Sequence, residues 1–201
     1  MGKSINVVGT GTNIAKLNKM ILLFDIVNYN EDPLEAKNSN EVLIEAAKDY
    51  LNNFGIQEKD IDYSRNELAA IYDKSGLIDT FKAATNFKIQ FYDLQVLAEF
   101  LYNIEGRHVI VKDIIFTLKD PIYYYDLALK NAVTNADNKA SVIANKLGVY
   151  IEATAQELTE MTDAYDQTPW ISGSNNNLDP KTVESTITFY ATVKAKYLVV
   201  D

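Results

Sequence analysis

Residues 121–148 read PIYYYDLALKNAVTNADNKASVIANKLG, and Ala128, Ala132, Ala136, Ala140 and Ala144 return at every fourth position. Side chains four apart lie almost on one line along a helix. A line of methyl groups this long predicts a single helix whose backbone comes close to a neighbour. Leu129, Val133, Ile143 and Leu147 flank the line and are expected to fill the space on either side. Two neighbours would serve: the sheet of the same domain, or a helix of a second subunit. Packing on its own sheet is the default.

The helix has clear ends. Asp120–Pro121 supplies an N-cap and a proline suited to the first turn, and Gly148 supplies a residue that turns left-handed at little cost. Two earlier segments carry the same punctuation. EDPLEA opens a helix with Asp32 as N-cap, Pro33 inside it, and Glu35 placed to close a capping box; the run SNEVLIEAAKDYLNNF then stops at Gly55. DLQVLAEFLYNIEG opens after Asp93 and closes near Gly106, with Leu94, Leu97, Leu101 and Ile104 at helical spacing.

Between the helices the period changes to two. In FKIQFYD, Phe87, Ile89 and Phe91 share a face. In MILLFDIVNY, Met20, Leu22, Phe24 and Ile26 share one face, while Ile21, Leu23 and Val27 make the other nearly as apolar, the mark of a central or doubly covered strand. HVIVKDIIFTL loses its alternation at Lys112 and Asp113, which predicts a bulge. The last strand alternates Ile187, Phe189, Ala191, Val193, Ala195, Tyr197 and Val199 with polar residues. At ~3.3 Å per residue it is longer than a compact domain needs, so part of it is expected in an interface. DAYDQTPWISGSNNNLDP, residues 163–180, has no period and reads as a mobile hairpin tip carrying Trp170, either folded on its own loop or exposed to a partner.

The expected order is β-β-α-β-β-α-β-α-β-β. It defines an α+β fold: antiparallel or mixed sheets with three helices on one face, a two-layer α/β sandwich with a long C-terminal β-hairpin. Residues 1–201 are expected to form a single domain, with a core of 1–61 and 119–201 and a small excursion subdomain of 62–118.

Composition narrows the function classes. The chain has 201 residues, a net charge of -9 and no cysteine. Its acidity and dispersed lysines argue against nucleic-acid binding, and the missing cysteines exclude disulfides and thiolate metal sites. No run reaches the ~18 apolar residues of a membrane span. MGKSINVVG enters a strand pattern without a signal peptide, so the protein is either cytoplasmic or has lost a leader.

No constellation of catalytic, cofactor or metal residues emerges. GTGT at 9–12 lacks the Lys-Ser/Thr of a phosphate loop; glycines on one strand face, making room for a neighbour, explain it better. His108 is the sole histidine and is expected at the surface. Glu157, Glu160, Asp163 and Asp166 lie close in sequence; a solvated acidic face is expected there rather than a calcium site. Tyr123, Tyr124 and Tyr125 face three directions at the start of the long helix, so at least one is expected exposed.

Several stretches resemble one family. DLALKNAVTNADNKASVIANKLGV is similar to the long helix of the SIMPL domain family, and INVVGTGT to its opening strand with Gly9 and Gly11. EAKNSNEVLIEAAKDYLNNFGIQEKDI, with its Asn40, FKAATNFKIQFYDLQVL and VIVKDIIFTLKDP resemble further landmarks in the same order. The resemblance implies an exported bacterial protein of the periplasm or cell envelope, its leader removed. It also implies large homo-oligomeric assemblies, a link to protection against oxidative stress, and no established enzymatic activity, cofactor or site residue. The leading expectation is therefore a non-enzymatic envelope protein that self-associates through strand edges and the final hairpin. The alternative is a small-ligand or peptide binding module with a groove between core and excursion subdomain.

Overall fold

The computed structural model describes residues 2–104, 108–161, 170–172 and 186–200. In chain order the elements are β1 (Ser4–Lys16), β2 (Lys19–Asn30), α1 (Pro33–Asn53), a 3-10 turn (Glu58–Asp60), β3 (Ile61–Tyr63), β4 (Glu67–Tyr72), β5 (Ile78–Phe91), α2 (Leu94–Ile104), β6 (Val109–Thr117), α3 (Pro121–Leu147), β7 (Tyr150–Ile151), β8 (Glu157–Glu160), β9 (Trp170–Ser172) and β10 (Thr186–Val200). This is an α+β sandwich built on antiparallel sheets. It has more strands than expected, because the segment after α3 is broken into short pieces and three strands, not two, lie between α1 and α2. Gly106, Asp163, Asp166, the tip residues 163–169 and 173–180, and the Trp170 side chain lie outside the described residues.

Local chemistry sets the helix ends. Asp32, Asp93 and Asp120 each accept a backbone N–H of the first turn: Leu34 at 2.8 Å, Gln95 at 2.7 Å and Tyr123 at 3.1 Å. Glu35 does not close the expected capping box, because Asn30 Oδ1 takes the Asp32 N–H at 2.9 Å. Gly55 and Gly148 adopt φ of 74° and 67°. Beyond each, the chain folds back with paired bonds, Gly55 to Asn52 and Ile56 to Leu51, Gly148 to Asn145 and Val149 to Ala144, which satisfy the last carbonyls.

The chain divides into two compact units, at residues 17/18 and 117/118. The first holds β1, α3, β7, β8 and β10. The second holds β2 to β6, α1, α2 and β9. The C-terminal edge of the expected excursion, 118/119, falls one residue from the second division. Its N-terminal edge, 61/62, falls inside the second unit, because β2 and α1 are bound to the middle segment by strand pairing and packing.

In the first unit β10 is central. It pairs with β1 along the whole of that strand, from Ser4–Leu198 to Lys16–Thr186, and on its other side with β7 and β8. The length of the final strand is thus matched by a partner within the chain, which removes the reason to place it in an interface. The described part of the C-terminal hairpin is β8 against Val193–Lys196. α3 lies across β1 and β10 with Ala128, Ala132, Ala136 and Ala140 at 0% exposure and Ala144 at 3%, so the alanine line does seat on its own sheet. Leu129 and Val133 pack beside it as expected. Ile143 and Leu147 do not: they are 39% and 65% exposed, since the sheet ends short of their side of the helix.

In the second unit the strand order is β3-β5-β2-β6-β9, with β4 also on β5. β2 is central, as its two apolar faces predict. Met20, Leu22, Phe24 and Ile26 are all buried, with Phe87, Ile89 and Phe91 on β5 beside them. Phe100 of α2 anchors this core, its ring 5.5 Å from Phe91, 5.9 Å from Tyr50 and 6.0 Å from Phe54. The helical spacing of the leucines did not single it out. The expected bulge is present: Leu23 pairs with Asp113 and Phe24 with Val111, leaving Lys112 as the extra residue. Trp170–Ser172, expected to be irregular, pairs with Ile115–Thr117.

Candidate functional site

Three surface features have chemistry that the fold alone does not require. The first is the outer edge of β1. In an antiparallel pair, alternate residues aim both backbone groups away from the partner. Here those are the even-numbered residues, and α3 covers part of them with a ladder of side chains one turn apart. Asn131 Nδ2 donates to Thr12 O at 2.9 Å, Asn135 Oδ1 accepts from Thr10 N–H at 3.1 Å, and Lys139 Nζ donates to Val8 O at 2.8 Å. The next steps of that series are Ile143 and Leu147, which have nothing to offer a backbone. Among the described residues the edge at Ser4–Asn6 therefore lies open, beside a shallow groove of about 460 Å³ lined by Asn6, Val7, Val8, Asn138, Lys139, Val142 and Ile143. Val142 is 68% exposed and Val8 45%.

The second is the arm made by β4 and the start of β5. Asp73 builds its turn, accepting from Ser75 N–H at 2.8 Å and Leu77 N–H at 3.0 Å while Gly76 takes φ of 84°. The Ser75 hydroxyl, donating to Asp73 Oδ1 at 2.6 Å, and after it these backbone bonds hold the Asp73 carboxyl below its usual range. Leu68, Ile71, Tyr72, Leu77 and Ile78 on this arm are all exposed. Among the described residues no strand pairs with the outer edge of β4.

The third is a cleft of about 420 Å³ on the second sheet. On its floor Asp25 is 6% exposed. Its carboxylate accepts from Asn86 Nδ2 and pairs with Lys112 Nζ at 2.7 Å. The bulge is what brings Lys112 to it. Lys88, Asp62 and Ser64 stand at the rim. The ammonium groups of Lys112 and Lys88 suit an anionic group; no nucleophile with an adjacent base accompanies them among the described residues.

The residues singled out in the sequence fall elsewhere. Gly9 and Gly11 lie under α3: a Cβ on Gly9 would stand 2.1 Å from Ala132 O, and one on Gly11 2.2 Å from Ala128 O. They are contact glycines, as the strand reading has it. His108 is exposed, with φ of 59°, and its carbonyl accepts from Val27 N–H at 2.8 Å. Glu157 and Glu160 are engaged separately, by Lys196 Nζ at 2.7 Å and by the Tyr125 hydroxyl. Tyr123 is exposed, Tyr124 stacks on Phe189 and Tyr125 is buried, the three directions expected. Neither the β1 ladder nor the arm was read from sequence. The signal for the ladder was present as a polar line, Asn131, Asn135, Lys139, beside the alanines.

Two antiparallel sheets, one sealed by an alanine-lined helix over contact glycines and the other covered by two shorter helices, define an α+β class of protein with no reaction centre evident in the described residues. Residues 5–197 match the model of one family, SIMPL, described as a protein of unknown function (DUF541). The chain belongs to the SIMPL family. A search of curated proteins finds no significant match. Among the described residues no helix is long and apolar enough to cross a membrane.

Proposed function

We propose that the protein is a non-enzymatic component of the bacterial periplasm or cell envelope that works by assembling with copies of itself. The arm of β4 and β5 carries this reading. Five large apolar side chains, Leu68, Ile71, Tyr72, Leu77 and Ile78, are exposed on one short ribbon. A two-stranded ribbon is marginal in water by itself, and an exposed apolar group of this kind marks an interaction surface. Export and a link to stress protection are inferred from the resemblance to SIMPL members.

Size-exclusion chromatography with light scattering tests the assembly. A multimer of defined mass is expected, and the double variant Ile71→Lys, Leu77→Glu is expected to shift it towards monomer. A wild-type monomer at high concentration would overturn the reading. Fractionation of the native host tests location, and a purely cytosolic signal would overturn that part.

The cleft over Asp25 favours a second reading, a small-ligand module. Loss of Lys112 and Lys88 reactivity towards an acylating reagent, in the presence of a panel of carboxylates and phosphates, would support it; unchanged reactivity with every one would count against it.

A further inference from the structure

We propose that the outer edge of β4 in one copy adds as a further strand to the open Ser4–Asn6 edge of β1, up to the Lys139 bond at Val8, in the next copy. This deepens the assembly reading and rests on it. The open edge asks for a strand: Asn6 aims its N–H and C=O outward, and the α3 ladder ends at Val8. The chain itself carries a fitting strand. β4 has 6 residues, its outer edge pairs with no strand among the described residues, and its side chains are mostly exposed on both faces.

The side chains and charges match as well. The face of β4 holding Glu67, Ala69 and Ile71 supplies an acid for Lys139, a small middle residue, and a branched chain for Val142 and Ile143. Lys139 is the one charged residue lining the β1 groove. The arm, residues 67–79, carries Glu67, Asp73 and Asp79 against Lys74 alone. A basic groove wall and an acidic arm are complementary in a chain that is acidic throughout. Because the two surfaces differ, the contact is head-to-tail, and repetition gives a ring if the rotation closes or a filament if it does not.

The chain has no cysteine, so introduced thiols report one contact at a time. Asn6→Cys, at an exposed position on the side of β1 turned away from α3, and Ala70→Cys, on the face of β4 opposite Glu67, Ala69 and Ile71, are made separately and together and treated with a short bismaleimide. A mixture of the two single variants is expected to give crosslinked dimers and each single variant alone none. The double variant is expected to give a ladder of multimers. Adding Val142→Glu, an exposed substitution that leaves the core alone, is expected to abolish the crosslink. Multimers by light scattering without a 6–70 crosslink overturn this inference and leave the assembly reading intact. Dimers from Asn6→Cys alone overturn it in favour of a symmetric β1 contact. Crosslinking only within single chains of the double variant overturns it, since the arm then sits on its own molecule. A monomer at all concentrations overturns both.

Discussion

Gly9 lies so close beneath Ala136 that a Cβ built on it would stand 2.8 Å from the Ala136 Cβ. The two residues explain each other: the helix approaches because the strand has no side chain there, and the strand is passed at that distance because the helix offers only methyl groups. Gly11 and Ala132 repeat the relation one step along, with 2.2 Å from a Gly11 Cβ to Ala132 N. Gly11→Ala therefore meets backbone, which does not yield as a side-chain end does. We expect Gly11→Ala to destabilise the protein by about 3 kcal/mol and Ala136→Leu by at least ~2 kcal/mol, at the upper end of overpacking. Urea midpoints check both. A neutral Gly11→Ala would mean that helix and strand are further apart.

The helix and the central strand of the same unit are also joined by Tyr197, 2% exposed, whose hydroxyl donates to Asp137 Oδ1. Burial, then the bond and charge of Asp137, push the tyrosine up to about 12 from 10.0. The group is neutral in the folded state to a higher pH than in the unfolded one. Its stabilisation is thus fully present below about pH 10 and is lost as pH rises from there through about 12. The chain has 13 tyrosines, so the informative quantity is the difference from Tyr197→Phe. Denaturation midpoints of wild type and variant should converge across that window. Parallel curves would remove Tyr197 as the cause.

Asp25 is held by Lys112 and Asn86 on the open side of β2. The carboxylate is almost fully covered while the Lys112 side chain is 51% exposed, so solvent screens one partner and not the other. Lys112→Met leaves a covered charge with one remaining partner. We expect a loss of ~1–3 kcal/mol, between exposed pairs and fully buried ones. Asp25→Asn added to Lys112→Met should recover part of it, because the orphaned charge is gone. Thermal unfolding of the single and double variants checks this; a double variant less stable than Lys112→Met would refute it.

How much of this was legible in the sequence follows from range. Caps and turns are local, and Asp32, Gly55, Asp120 and Gly148 announced them. The bulge at Lys112 showed as a broken alternation. The glycines and alanines showed as two regular small-residue patterns that happen to face each other. Pairing is another matter. Nothing in MILLFDIVNY says that Met20 sits between Phe91 and Phe116, and so the division at residue 17 rather than 61 was hidden. Glu35 does not cap because Asn30, outside the helix, already takes the Asp32 N–H. The arm was missed because its exposed leucines and isoleucines look like core residues until the sheet that would cover them is seen to end.

The α3 ladder makes its own demand on the assembly. Asn131, Asn135 and Lys139 occupy Thr12, Thr10 and Val8 of an edge strand, and exposed edges recruit other strands indiscriminately. Each bond is solvent-exposed and worth about 0.5–1.5 kcal/mol, so the triple variant Asn131→Ala, Asn135→Ala, Lys139→Ala should lose only a few kcal/mol and still fold. Its β1 edge would then lie open from Ser4 to Thr12. The expected result is growth beyond the wild-type mass, seen as rising light scattering at a concentration where the wild type is steady. Restoring Lys139 alone should slow that growth, since it guards the boundary at Val8. If the triple variant keeps the wild-type mass, the ladder only fastens helix to strand, and edge protection must come from elsewhere in the sheet.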